Sequence, residues 1–139
     1  MSQPSQSTQA DLKLHQAWII LGYVMLVIVA VLSLTPAPDV GTSDKVQHLV
    51  TYLILSGWFC LIKKNDQSLI LIVIGLIIFG VILEYAQGFV GYRVADSQDA
   101  LANSLGVLIG ILFRFTPLKT MLYSFDEMLY VSTSSDSQD

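Results

Sequence analysis

The chain has 139 residues, of which 53% are hydrophobic and 13% charged, and its mean hydropathy is +0.62. Soluble domains carry about 25% charged residues, so this composition argues against an ordinary soluble domain and favours a membrane protein. The net charge of −4 includes four acidic residues among positions 126–139, and no basic patch suggests nucleic acid as a partner.

Four apolar segments predict an all-α polytopic membrane protein, a four-transmembrane-helix bundle, because each approaches the roughly 20 residues that cross a bilayer. The predicted spans cover residues 17–34, 44–62, 68–90 and 97–115. A soluble helical bundle is the alternative, since the last three spans are short or carry polar residues. The charge-free run LILIVIGLIIFGVIL favours the membrane protein, because a helix that is apolar on every side suits lipid.

The two ends of the chain are polar and are expected to lie outside the domain formed by residues 17–116. Residues 1–16 predict a disordered cytoplasmic leader. A cleaved signal peptide is the alternative for residues 17–34, but this run exceeds the usual h-region and Pro36 and Pro38 spoil a cleavage site. Residues 117–139 predict a cytoplasmic tail, with 118–130 compatible with a short interfacial helix followed by disorder.

Basic residues near the ends of the spans predict the orientation, because lysine and arginine in short loops are biased to the cytoplasm. One side carries Lys13, Lys63, Lys64, Arg114 and Lys119. The opposite side carries Lys45 and Arg93. We therefore expect a multi-pass protein of the bacterial cytoplasmic (inner) membrane with both termini cytoplasmic.

Polar residues interrupt the apolar pattern at three span ends that this topology brings to one membrane face. Their spacing gives each helix one polar stripe, since residues three or four apart share a helix face. The stripes are Asp44, His48 and Tyr52; Glu84 and Gln87; and Asp96, Asp99, Asn103, Gly106 and Gly110. Ionisable groups at membrane depth are costly and usually mark functional sites.

Two interpretations of this cluster stay open. Lys45 and Arg93 could pair with the carboxylates, so that the network only fixes the register of the helices. Alternatively, the four carboxylates, two cations and one histidine hold a divalent metal or a polar headgroup, or move protons. The formal charge of four negative against two positive groups leaves room for a cation.

Individual residues have separate candidate roles. Glu84, Asp99 and His48 are the candidate acid and base residues of any catalysis. Candidate binding residues are Asp44, Lys45, Gln87, Arg93, Asp96 and Asn103, with Arg93 suited to an anionic group. Candidate metal ligands are Asp44, His48, Glu84 and Asp99, whereas Gly88, Gly106 and Gly110 are expected to pack helices. No GxSxG, HExxH or CxxC motif is present, so the pattern does not decide whether the protein is an enzyme.

The combination and order of these positions resemble the pattern of VanZ-like membrane proteins. The resemblance rests on Asp44-Lys45-x-x-His48-x-x-x-Tyr52, on Glu84-x-x-Gln87 followed by Arg93, and on Asp96-x-x-Asp99-x-x-x-Asn103-x-x-Gly106-x-x-x-Gly110. It covers residues 17–115 and departs from the family in the segment GFVGYRVADSQD, where many relatives carry a proline-containing turn. The namesake is linked to resistance to the glycopeptide teicoplanin, which implies contact with cell-envelope precursors.

Three functions follow as expectations. The first is a cell-envelope protein that binds or modifies a lipid-linked or peptidoglycan-related headgroup in an outward-facing pocket, affecting glycopeptide susceptibility. The alternative is a non-enzymatic scaffold whose polar network is structural. A metal or proton transporter is less well supported, because no polar stripe continues through residues 69–83. The expected partners are the bilayer and a lipid-linked envelope precursor, and a divalent metal is a candidate cofactor.

Overall fold

The computed structural model describes residues 12–36, 43–63, 66–91 and 95–135. These residues form five α-helices and contain no β-strand, which confirms the all-α prediction. The helices are α1 (His15–Ser33), α2 (Asp44–Ile62), α3 (Asp66–Gln87), α4 (Ser97–Gly110) and α5 (Leu118–Ser135), and a 3-10 segment, Ile111–Phe115, continues α4.

Three helices are long and apolar enough to cross a membrane, judged by length and composition. They are α1, α2 and the Ser68–Gln87 part of α3. A fourth crossing arises only if Ser97–Phe115 and Leu118–Thr133, which meet at a bend of 69°, are counted together. Large apolar side chains are exposed along α1 and α3, among them Ile20, Val27, Leu32, Ile70, Leu71 and Ile82. Such continuous apolar faces suit hydrocarbon better than water.

The helix boundaries show where local sequence signals act. Helix α2 has its predicted bounds, although the Ser43 side chain makes no capping hydrogen bond. Helix α3 ends at Gln87, short of the predicted residue 90, and the turn beyond it contains Gly91 with φ of 74°. Glycine adopts this left-handed conformation at little cost, so the turn stops the helix. Helix α4 starts after Asp96, whose side chain accepts a hydrogen bond from the Gln98 backbone N–H.

Helix α2 occupies the centre of the bundle and contacts every other helix. Its buried residues include Tyr52, Leu55 and Ile62, which belong to the main apolar core. Among the described residues of α1, by contrast, only Gly22 within the helix is buried. In the polar stripe of α2, His48 contacts Asn103 on α4 and Tyr52 lies against Gly80 on α3, whereas Asp44 is at the exposed end.

Small residues allow α2 and α4 to pack closely. A Cβ atom on Gly106 would overlap the Leu49 carbonyl oxygen, and one on Gly110 would lie 2.6 Å from the Leu53 carbonyl oxygen. The Ser56 hydroxyl donates a 2.7 Å hydrogen bond to the Val107 carbonyl within this contact. Glycines let helix backbones approach in this way, and the neighbour of the predicted glycine stripe is thus α2.

Helix α5 packs beside the start of α1, at the end of the bundle opposite the polar stripes. Asp126 is only 2% exposed and accepts hydrogen bonds from the Trp18 indole and from the backbone N–H groups of Lys13 and Leu14. The described helices extend into both predicted terminal segments, because α1 begins at His15 and α5 continues to Ser135. Amphipathic pattern alone did not reveal that Asp126 has hydrogen-bond partners 108 to 113 residues away.

Candidate polar site

Three helix ends bring the predicted polar residues together at one end of the bundle. They are the N-terminal ends of α2 and α4 and the C-terminal end of α3. We define the polar site as Asp44, Lys45, His48, Tyr52, Glu84, Asp96, Asp99 and Asn103. Glu84, Asp99, Asn103 and Tyr52 are buried within it, whereas Asp44 and Lys45 form its more exposed side.

Lys45 joins α2 to the start of α4. Its ammonium nitrogen lies 2.9 Å from Asp96 Oδ2 and 3.5 Å from Asp99 Oδ1. The other Asp96 oxygen accepts the Gln98 backbone N–H at 2.9 Å. That hydrogen bond and the one from Lys45 stabilise the charged carboxylate and hold the pKa of Asp96 below its usual value.

Glu84 connects α3 to the same region of the chain. One oxygen, Oε1, accepts a 2.7 Å hydrogen bond from the Asp96 backbone N–H. The side chain is only 5% exposed, and its second oxygen, Oε2, is buried with no hydrogen-bond partner. Glu84 therefore holds the α3–α4 connection with one oxygen and leaves the other available.

His48 lies between two carboxylates and an amide. Its Nδ1 is 3.1 Å from Asn103 Oδ1, while its Nε2 is 3.7 Å from Asp44 Oδ1 and 3.9 Å from Asp99 Oδ2. An amide oxygen can only accept, so Nδ1 carries the hydrogen in this contact. In neutral His48 the Nε2 lone pair then faces the two carboxylates.

Asp44, His48 and Asp99 form the group that could hold a metal among the described residues. One ligand atom from each lies within 4.8 Å of the others. The predicted fourth candidate, Glu84, is not in this group, and its Oε1 accepts a hydrogen bond from the Asp96 backbone N–H. Three of the four predicted metal candidates are thus brought together.

Buried oxygens without hydrogen bonds are concentrated in the polar site. Besides Glu84 Oε2, they are the Tyr52 hydroxyl and Asp99 Oδ1, in residues that are 2% and 6% exposed, and the Asp99 oxygen has only the ammonium of Lys45 at 3.5 Å. Most buried polar atoms in proteins have a partner, and each exception needs a physical explanation. A bound ligand or ion that supplies the missing partners is such an explanation.

Other predicted residues have different surroundings. Gln87 donates a 2.8 Å hydrogen bond to the Ser33 carbonyl, so its amide ties the end of α3 to the end of α1. A Cβ atom on Gly88 would lie 3.2 Å from the Ala95 Cβ, so this glycine packs against the connection to α4. Arg93, the predicted anion-binding residue, lies outside the described residues.

Sequence reasoning missed Gly80, which lies against Tyr52 of the polar stripe on α2. A Cβ atom on Gly80 would lie 3.0 Å from Tyr52 Cε1 and 3.2 Å from the Asn103 Cβ. Gly80 thus makes room for the aromatic ring where α2, α3 and α4 meet. The spacing Gly80-x-x-x-Glu84 places the glycine on the same helix face as the carboxylate, which is the signal that could have identified it.

The fold and the site can be compared with known proteins. No family model matches the chain, and no solved structure matches it. An uncharacterised protein of the fission yeast Schizosaccharomyces pombe is 34% identical over 95 residues. The match covers 66% of this chain but spans only 58% of the length of that relative.

This similarity corrects one prediction. The expected location in a bacterial cytoplasmic membrane is wrong, because the similar protein belongs to a eukaryote. The predicted cytoplasmic position of both termini was deduced from the basic residues and belonged to the same prediction of a bacterial membrane. The apolar helices themselves depend on the sequence and not on the compartment, so they are unaffected.

Proposed function

We propose that this chain is a membrane protein that binds the polar headgroup of a lipid or lipid-linked molecule in its polar site. The observation that carries this proposal is the pair of buried atoms without partners, Glu84 Oε2 and the Tyr52 hydroxyl. They lie at one end of a bundle whose flanks are exposed apolar side chains. A ligand with its tail in the bilayer would present its headgroup to such a site.

The chemistry of the available atoms selects the class of headgroup. An ionised carboxylate oxygen can only accept hydrogen bonds, so Glu84 Oε2 favours a ligand that donates one. The described residues of the site contribute four carboxylates, Asp44, Glu84, Asp96 and Asp99, against the single ammonium of Lys45. Hydroxyl-bearing or ammonium-bearing headgroups therefore fit better than a bare phosphate.

The resemblance to VanZ-like proteins belongs to this proposal, because the residues that carry it are the residues of the polar site. Its link to peptidoglycan precursors and glycopeptide susceptibility has no support from the comparisons. We therefore infer the class of ligand from the hydrogen-bonding groups of the polar site. In this assignment the N-terminal ends of α2 and α4 and the C-terminal end of α3 surround the headgroup, and α5 lies along the membrane boundary.

Lipid identification on the purified full-length chain tests the proposal. Lipids that remain bound after detergent purification would be extracted and identified by mass spectrometry from wild type, Glu84→Gln and Glu127→Gln. Glu127 is an exposed carboxylate on α5, so its variant is a matched control for the loss of a charge. We expect one headgroup class to be enriched in wild type and the control and depleted at least fivefold in Glu84→Gln.

Two results would count against headgroup binding. One is a lipid profile identical to that of the surrounding membrane in all three proteins. The other is a specific lipid that Glu84→Gln retains as well as wild type. Size-exclusion profiles and thermal unfolding of each sample separate a loss of binding from a loss of folding.

A structural scaffold is the second candidate, and specific contacts favour it. Lys45 bridges Asp96 and Asp99, and Glu84 accepts the Asp96 backbone N–H, so the network already joins three helices without a ligand. If the network is only structural, substitutions in the polar site lower the melting temperature and change no bound lipid. The same lipid and melting measurements therefore distinguish the two functions.

A further inference from the structure

The three side chains Asp44, His48 and Asp99 have a relationship that headgroup binding does not explain. His48 Nε2 lies 3.7 Å from Asp44 Oδ1 and 3.9 Å from Asp99 Oδ2. Both distances are longer than a hydrogen bond. Two ligands of a tetrahedral metal ion, each about 2.0–2.2 Å from it, lie about 3.3–3.6 Å apart, so these side chains need to close by only a few tenths of an ångström around an ion. These distances suit atoms arranged around an ion better than atoms bonded to each other.

The surroundings of His48 match those of a metal-bound histidine. Asn103 Oδ1 accepts from Nδ1 at 3.1 Å, which orients the ring and leaves Nε2 as the coordinating nitrogen. Metal-binding histidines usually have a second partner of this kind on the other ring nitrogen. Because Asn103 is only 2% exposed, the ring is held by a buried and fixed residue.

Asp99 provides an independent indication of a ligand. The residue is 6% exposed, its buried Oδ1 makes no hydrogen bond, and its Oδ2 is the oxygen that faces His48 Nε2 at 3.9 Å. Lys45 Nζ lies 3.5 Å from that oxygen and reduces, without removing, the negative charge of the cluster. A buried carboxylate in this position gains stability from a cation that coordinates it.

We propose that Asp44, His48 and Asp99 bind a divalent transition-metal ion such as Zn²⁺ or Mn²⁺. One imidazole nitrogen with two carboxylate oxygens suits these ions, whereas Mg²⁺ and Ca²⁺ prefer oxygen ligands alone. Three protein ligands leave at least one coordination position open for water or another ligand. Asp44 is half exposed, so the ion reaches the site from solvent on that side.

Metal binding is measured directly on the purified full-length protein. The chain is stripped with a chelator and titrated with Zn²⁺ and with Mn²⁺ by calorimetry, and the bound metal is counted by mass spectrometry after dialysis. Co²⁺ absorption in the visible region reports on the ligands of the ion. We expect about one ion per chain, and a higher melting temperature in its presence.

Matched variants locate the site. Asp99→Asn and His48→Gln should lower the affinity at least tenfold, a loss comparable to that from removing a metal's supporting contacts. Glu127→Gln removes an exposed carboxylate on α5, and His15→Gln removes a histidine at the other end of the bundle. Both controls should bind the metal with an affinity within threefold of wild type.

Every outcome decides the question. Wild type that binds neither ion tighter than millimolar overturns the metal site, as do Asp99→Asn and His48→Gln variants that bind like wild type. If a variant does not fold, the stoichiometry and the Co²⁺ spectrum of wild type still test the ligand set. The proposal does not depend on headgroup binding, since metal is measured without lipid and Glu84 is not a ligand.

Discussion

The indole Nε1 of Trp18 donates a 2.6 Å hydrogen bond to Asp126 Oδ1, which fastens α5 to the start of α1. The backbone N–H groups of Lys13 and Leu14 also donate to this carboxylate. Asp126 is 2% exposed and accepts hydrogen bonds from three donors. Asp126 thus joins α5 to the start of α1, beside the ring contact between Trp18 and Phe125.

Replacing Asp126 with alanine should therefore be strongly destabilising. It leaves three donors without their acceptor, and an unsatisfied buried donor costs about 1–3 kcal/mol. We expect the melting temperature in detergent to fall by several degrees and the fluorescence of Trp18 to shift to longer wavelength. Glu127→Ala, an exposed neighbour, should change stability by less than about 0.5 kcal/mol. Equal effects of the two substitutions would contradict the contact.

The Asp126 contact should also be sensitive to acid. Burial raises the pKa of the carboxyl, but the hydrogen bonds from Trp18, Leu14 and Lys13 outweigh it and hold the pKa below the ordinary value of 3.8. A lowered pKa in the folded state means that the stabilisation is complete above the unfolded value and is lost as pH falls through the folded one. The melting temperature of wild type relative to Asp126→Asn should therefore be constant from pH 7 to 5 and decrease below about pH 4. A difference that does not change down to pH 3 would exclude this role.

Close packing of α2 and α4 predicts that Gly106 tolerates no side chain. The added Cβ of Gly106→Ala would overlap the Leu49 carbonyl oxygen and lie 3.0 Å from the Leu53 nitrogen, both backbone atoms. Overpacking of this kind costs about 1–3 kcal/mol. Gly75→Ala is the matched control, because nothing lies within 4 Å of its added Cβ and alanine favours the helix. Thermal unfolding should show a decrease for the first variant and none for the second.

Asn103 should affect metal affinity without touching the ion. Asn103→Ala removes the acceptor that orients His48, and loss of such a contact typically weakens metal binding about 10- to 100-fold. Calorimetry with Zn²⁺ on the stripped protein provides the measurement. Ser104→Ala, at the next position of α4, is the control, since that hydroxyl only bonds back to the Ala100 carbonyl. Unchanged affinity in Asn103→Ala would mean that His48 is not held in this way.

Lys45 should oppose the metal while contributing little to stability. Its ion pairs are partly exposed, with side-chain exposures of 44% for Lys45 and 40% for Asp96, and solvent-exposed ion pairs contribute little to stability. Lys45→Met should therefore lower the melting temperature only slightly and increase the affinity for Zn²⁺ by removing a competing cation near Asp99. Lys119→Met, on α5, should change neither quantity. A weaker Zn²⁺ affinity in Lys45→Met would show that the ammonium supports the site instead.

Local patterns predicted the helices well because apolar length and turn chemistry act within a few residues. Helix α2 has the predicted bounds, and the predicted spans each contain a helix. Helix α4 differs, since its regular part ends at Gly110 and a 3-10 segment completes the span. The tail was harder to predict, because α5 depends on the contact of Asp126 with residues far away in sequence.

The sequence predicted which residues form the polar site but not which of their atoms meet. Helical spacing placed His48 on a face with Asp44, and Asn103 on a face with Asp99, because both are properties of a single helix. The pairing of His48 with Asn103 joins residues 55 positions apart and follows from how α2 packs on α4. The contact of Glu84 was likewise not predicted, since this side chain accepts a hydrogen bond from the Asp96 backbone N–H and is not grouped with Asp44, His48 and Asp99.

The sequence by itself determined the all-α class, the apolar segments and the polar stripe on each helix, because composition and periodicity are local properties of the chain. Only the tertiary structure decided which polar atoms meet. The close α2–α4 contact at Gly106 and Gly110 brings Asp44, His48 and Asp99 within 4.8 Å of one another, and the α3 end adds Glu84 beside them. Distances of a few ångströms between helices depend on the packing of every residue in the interface, which no short stretch of sequence encodes.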